Sequence, residues 1–166
     1  MLRIERAIDA LSEKTGRLTS YLALPLVGVV TYEVIMRYLF DRPTSWGFEL
    51  TTFLYGAHFM LGLAYAHKHN GHVAIDVFEA KLPRKPRTVL RIITNLIIFI
   101  PVVGMFSAYS IVYAITSWGQ WERSSTAWGP PIYPWKTIMS IGFVLLFLQG
   151  ISKLIHDFRS LGGSEN

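Results

Sequence analysis

The chain has 166 residues, 51% of them hydrophobic and 16% charged, with a mean hydropathy of +0.34, against about 25% charged in an ordinary soluble domain. An ordinary water-soluble globule is therefore excluded, and the absence of cysteine excludes disulfide frameworks, thiolate metal sites, iron–sulfur clusters and thiol redox catalysis. Sixteen Lys and Arg against eleven Asp and Glu give a formal charge of +5; in a chain this apolar, basic residues report membrane topology before nucleic-acid binding, and no nucleic-acid partner is expected.

A bilayer core about 30 Å thick needs roughly 20 mostly apolar residues per helix. Four stretches fit, at about 18–40, 48–67, 92–118 and 136–153. They predict an all-α membrane protein, a single domain over 1–166, with four transmembrane helices preceded by an N-terminal amphipathic interfacial helix. In that arm, 1–17, Ile4, Ala7, Ile8 and Leu11 recur at helical spacing up to Leu18, while Arg3, Glu5, Arg6, Asp9, Ser12 and Glu13 take the other face. The pattern reads as a helix lying on the membrane, with a solvated helix packed on the protein as the alternative. Charges scattered among its apolar residues do not make a signal peptide.

The first span must continue through Glu33 and Arg37, because the uncharged run Leu18–Tyr32 is too short to cross alone. Four residues apart, the two lie on one helical face and can pair, which offsets the cost of an intramembrane charge. The short connection Asp41–Gly47 predicts an antiparallel hairpin with the second span. It brings Glu49 to the depth of Arg37, so that Glu33, Arg37 and Glu49 form one cluster. The cluster reads as a structural lock, with a proton or ion site as the alternative.

Among the five histidines only His58 lies in mid-span, and no second histidine matches it in depth. This argues against a haem held by two helices, as in the membrane anchor of a respiratory enzyme. Between the second and third spans, Val73, Ile75 and Val77 alternate with polar residues before Pro83 and Pro86 break any helix. Here His72 and Asp76 cap the turn or form a pH-sensitive pair. The basic residues Lys81, Arg84, Lys85, Arg87 and Arg91 are candidates for anionic lipid headgroups.

The third span is longer than the bilayer is thick, so it should tilt, with a bend at Pro101 and Gly104. The fourth has few residues between Lys136 and Lys153. Both lysines are expected to snorkel, beside an aromatic belt of Trp128, Tyr133 and Trp135. The connecting loop is rich in Trp and Pro, either a docking surface for an extracytoplasmic partner or an ordinary interfacial belt. Most basic residues fall on the termini and the 68–91 loop, with only Arg42, Arg123 and Lys136 opposite, so both termini are expected in the cytoplasm. No phosphate loop, HExxH or nucleophile elbow is present, and neither catalytic nor metal-ligating residues nor an enzyme activity are expected.

Three blocks in sequence, TYEVIMRYLFDRPTSWGFEL, HVAIDVF and WGPPIYPWKTIMSIGFVLLFLQG, resemble the small, DctQ-like membrane subunit of tripartite ATP-independent periplasmic (TRAP) transporters over roughly residues 15–155. The resemblance implies a scaffold that widens the static part of a large elevator subunit. A periplasmic binding protein would deliver an organic acid or similar solute, and sodium and substrate would bind in the large subunit, with no cofactor in this chain. The protein would sit in a bacterial or archaeal inner membrane. Onto the family's motifs fall Glu33, Arg37, Tyr38, Pro43, Trp46 and Glu49, then His72, Val73 and Asp76, then Pro131, Tyr133, Pro134 and Lys136. The resemblance makes them candidates for holding the fold and its seam with the large subunit. The rival reading is an autonomous small multidrug antiporter with Glu33 as its working carboxylate. Arg37 one turn away opposes this, because it favours the ionised carboxylate.

Overall fold

The structure, a computed structural model, describes residues 3–69 and 83–162. Among the described residues it is all helical: α1 Arg3–Ser20, α2 Ala23–Tyr38, α3 Gly47–Lys68, α4 Arg84–Thr94, a π-helical turn Asn95–Phe99, α5 Ile100–Gly119 and α6 Tyr133–Gly162. Extended pairing among the described residues is limited to an isolated bridge between Arg123 and Pro131. Among the described residues three segments, Arg3–Tyr38, Pro86–Gly119 and Tyr133–Leu161, are long and apolar enough to cross a membrane, where the sequence predicts four. The 22-residue α3 has the length, but Glu49, His58, His67 and Lys68 lower its hydropathy.

Helix boundaries follow local chemistry. After α2, Asp41 enters the left-handed region at φ 51°, which a short polar side chain tolerates. The Arg42 N–H then returns to the Met36 carbonyl at 2.9 Å, and Pro43 prevents further helix. Thr44 reopens the chain as helix by accepting the Gly47 N–H on its hydroxyl at 3.0 Å. Pro134 in the first turn of α6 removes a donor that had no intrahelical partner anyway.

Where the sequence offers a bend at Pro101 and Gly104, the helix instead carries a π-helical turn just before it, at Asn95–Phe99. Pro101 has no N–H to give the Ile97 carbonyl, and the preceding residues widen into the π-turn, in which the Ile100 N–H reaches back to Asn95. The fourth predicted span is also longer than expected, because α6 runs on past Lys153 to Gly162.

Principal contacts run α2 to α3, α3 to α6 and α6 to α5, so the long helices stand as an open row. Such a row buries little apolar volume, mainly Ala57, Ala64, Val103, Ala114, Leu145 and Leu146. Small residues and hydroxyls bring its backbones together instead, as expected where lipid removes the hydrophobic drive between helices. Ser107 donates to the Phe143 carbonyl at 3.0 Å and Ser140 to the Ser110 carbonyl at 2.7 Å, stitching α5 to α6. At Gly142 the α3 backbone comes so close that an added Cβ would lie 2.6 Å from the Met60 carbonyl oxygen.

Helix α1 packs on α3 and α6 with its polar face inward. Glu5, Ser12 and Thr19 are buried, and Ile4, Leu11 and Leu18 point outward. Helical spacing separates an apolar from a polar face; it does not say which one meets the protein.

Candidate functional site

Among the described residues three polar clusters tie the helices together, and the first is the hairpin lock. One Glu33 carboxylate oxygen accepts the Arg37 guanidinium at 2.6 Å. The other accepts the Thr44 hydroxyl and, at 3.3 Å, the Thr44 backbone N–H. Gly47 makes room for this: a Cβ there would lie 2.5 Å from Glu33 Oε2 and 2.6 Å from Thr44 Oγ1. Trp46 stacks on Tyr32 at 5.7 Å between ring centroids, whereas Tyr38 and Pro43 are exposed.

Glu49 is absent from that cluster, contrary to the expectation from the hairpin. One of its oxygens accepts the hydroxyls of Ser124, at 2.7 Å, and Thr126, both on the loop between α5 and α6. Hairpin geometry fixes depth but not azimuth, and α3 turns Glu49 toward this loop rather than toward α2.

The second cluster lies beneath the same loop. Lys136 is buried and ion-paired with Glu122, with its ammonium 3.8 Å from the Tyr113 ring centroid. Snorkelling is thus replaced by an internal salt bridge. Ser117 donates to the same Glu122 oxygen at 2.6 Å, and Lys136 and Ser117 together hold the Glu122 carboxyl below the ordinary carboxylate range. The loop closes on itself through Ser124 N–H to the Pro130 carbonyl at 2.9 Å and Ile132 N–H to the Glu122 carbonyl at 3.0 Å, with Pro131 in the isolated bridge. Of the expected aromatic belt, Trp128 is exposed. Tyr133 lies 4.3 Å from Trp118, and Trp135 is stacked on Phe53 at 4.7 Å, against the protein.

The third cluster clamps α1 and was not legible beforehand. Ser12 donates to Gln149 at 2.7 Å, and Gln149 and Ser152 donate to Asp9 at 2.9 and 3.2 Å. Lys68 reaches Glu13 at 2.9 Å, and Arg159 reaches the buried Glu5 at 3.4 Å. His58 contacts the Thr19 carbonyl through Nδ1 at 3.0 Å, an anchoring contact between α3 and the end of α1. Behind the clamp is a cavity of about 280 Å³, lined in part by Glu5, Asp9, Lys68, Arg91, Lys153 and Asp157. Alternating polar positions on α1 and α6 are the only sequence signal for it, and they mark faces, not their meeting.

His72, Asp76 and Lys81 lie outside the described residues, as do the side chains of Arg84 and Lys85. Arg87 is half-buried on α4. Among the described residues no group of three or more His, Cys, Asp or Glu is placed to hold a metal ion. Both Glu33 oxygens are engaged by Arg37 and Thr44, an arrangement that holds shape and does not favour the antiporter reading.

Residues 26–160 match the family described as tripartite ATP-independent periplasmic transporters, DctQ component. Curated relatives include the C4-dicarboxylate TRAP transporter small permease protein DctQ of Vibrio cholerae serotype O1, 28% identical over 120 residues. That alignment covers 69% of this chain and 48% of the relative. The sialic acid TRAP transporter small permease protein SiaQ of the same organism is 36% identical over 70 residues, covering 42% of this chain and 40% of the relative. The matched regions thus span less than half of either relative's length.

Proposed function

Because the chain belongs to the DctQ component family of tripartite ATP-independent periplasmic transporters, a family of transporter subunits and not of enzymes, we propose that this multi-pass membrane protein is the small scaffold subunit of a sodium-coupled secondary transporter. In this reading it associates with a large membrane subunit and stabilises that subunit's static part. A periplasmic binding protein delivers the solute. The solute is an organic acid or a similar compound, by analogy with the names of the two relatives, and sodium and solute bind in the large subunit. Here α3 crosses the inner membrane as a fourth span within the row, α1 lies at the interface with its outward Ile4, Leu11 and Leu18 against lipid, and both termini are cytoplasmic.

The observation that carries the reading is the open row. Its outer members α2 and α5 leave Leu24, Val27, Val34, Met105, Val112 and Ile115 exposed, a broad apolar surface available to lipid or a second membrane protein. Its charged residues meanwhile serve as internal ties: Glu33 to Arg37 and Glu122 to Lys136. The candidate seam and fold residues are Glu33, Arg37, Tyr38, Pro43, Trp46, Glu49, Tyr133, Pro134 and Lys136, with His72 and Asp76 proposed on sequence alone.

The test is affinity purification of the chain from its native membrane in mild detergent, followed by mass spectrometry. A large polytopic membrane protein recovered in about equal amount is the expected result. Recovery of the chain alone or only self-associated overturns the scaffold reading.

A further inference from the structure

The cavity behind the α1 clamp is built from four helices. Glu5 and Asp9 come from α1, Lys68 from α3, Arg91 from α4, and Lys153 and Asp157 from α6. Its volume of about 280 Å³ equals roughly nine waters at liquid density, far more than a bare ion requires. Asp157 is buried, and its Oδ2 has no hydrogen-bond partner; Oδ1 lies 3.8 Å from His156 Nδ1. A buried carboxylate oxygen without a donor is costly, so the site favours a ligand that brings one.

Two features narrow the ligand. First, the walls carry three carboxylates and three cationic side chains, a balance that suits a zwitterion over a plain anion or cation. Second, α6 is one continuous helix, and from Lys136 to Asp157 it rises about 31 Å at 1.5 Å per residue. That is about the thickness of a bilayer core. With Lys136 at the opposite loop, the cavity lies at headgroup level, on the inward polar face of α1.

We propose that this cavity binds the headgroup of an amine-bearing phospholipid, with its ammonium donated to Asp157 and its phosphate toward Arg91 and Lys153. The proposal rests on the membrane reading, not on the scaffold role. A headgroup bound there would hold α1, α4 and α6 together at the bilayer surface.

The test is native mass spectrometry of the full chain in mild detergent, offered dioleoyl phosphatidylethanolamine or dioleoyl phosphatidylcholine, in which three N-methyl groups replace the three N–H donors of the ammonium. The wild type should retain one phosphatidylethanolamine with several-fold preference. Asp157→Asn, folded by circular dichroism, should lose that preference, and Arg91→Gln should weaken retention of both lipids. Equal retention of the two lipids by the wild type overturns the proposal, as does a preference unchanged in Asp157→Asn. Should Asp157→Asn fail to fold, the wild-type comparison still decides. Soluble glycerophosphoethanolamine is the third arm, and its binding as tightly as the lipid would overturn the membrane source of the ligand. Because the readout is lipid mass on this chain, its failure is distinct from failure to recover a partner subunit.

Discussion

Thr44 donates both its hydroxyl and its backbone N–H to one carboxylate oxygen of Glu33, eleven residues earlier in the chain. This closes the α2–α3 hairpin in a way that neither residue type announces. The remaining Glu33 oxygen binds Arg37, so one side chain ties a helix end, a turn and the next helix start.

Gly47→Ala tests this closure. The new Cβ would lie 2.5 Å from Glu33 Oε2 and 2.6 Å from Thr44 Oγ1, forcing one of them away. A loss of about 1–3 kcal/mol is expected from such overpacking, read as a lowered thermal midpoint of the detergent-solubilised protein. An unchanged midpoint would mean that the hairpin does not depend on this approach.

A matched pair of glycines tests the α3–α6 seam. In Gly142→Ala the added methyl would meet the Met60 carbonyl oxygen at 2.6 Å, whereas at Gly62 nothing lies within 4 Å. Backbone cannot move aside as a flexible side chain can, so Gly142→Ala should destabilise by about 1–3 kcal/mol. Gly62→Ala should be neutral or gain up to about 1 kcal/mol, because alanine is the better helix former. Equal thermal midpoints for the two variants would argue against the observed crossing.

Much of this architecture is legible from the residues alone, for identifiable reasons. Apolar runs place the helices, and the four-residue spacing of Glu33 and Arg37 gives their pairing directly, because both lie on one helix. Glu49 is different: its partner Ser124 is 75 residues away, and no periodicity reports which neighbour a helix face meets. Helix α1 shows a second limit, because spacing separates its faces without naming the partner of each. In water an amphipathic helix turns its apolar face to the protein, but beside lipid the apolar face can turn outward and leave Glu5, Asp9 and Ser12 to bond with α6. Lys136 has the character of a snorkelling lysine until Glu122, on the preceding loop, supplies a half-buried partner.

The Glu122–Lys136 tie sets a pH dependence. Lys136 and Ser117 hold the Glu122 carboxyl below its ordinary value. Its stabilising contribution is therefore fully present above the unfolded carboxylate range and is lost as pH falls through the lower, folded value. Thermal midpoints of the wild type should fall on acidification through that window, and Glu122→Gln should flatten this part of the profile. A profile unchanged by the substitution would remove Glu122 as its source.

Glu33→Gln separates a lock from a transport site. Glutamine keeps an oxygen for Thr44 but gives up the charge that pairs with Arg37, whose side chain is 51% exposed and can turn toward water or headgroups. The scaffold reading therefore predicts a folded chain, a modestly lower yield of complex with the large subunit, and solute uptake that falls no further than that yield. A proton-coupled carboxylate behaves differently, because without its titratable group every transport cycle stops while the fold is unaffected. Full assembly combined with abolished uptake, measured on the same reconstituted vesicles, would move Glu33 from the frame of the transporter to its working centre.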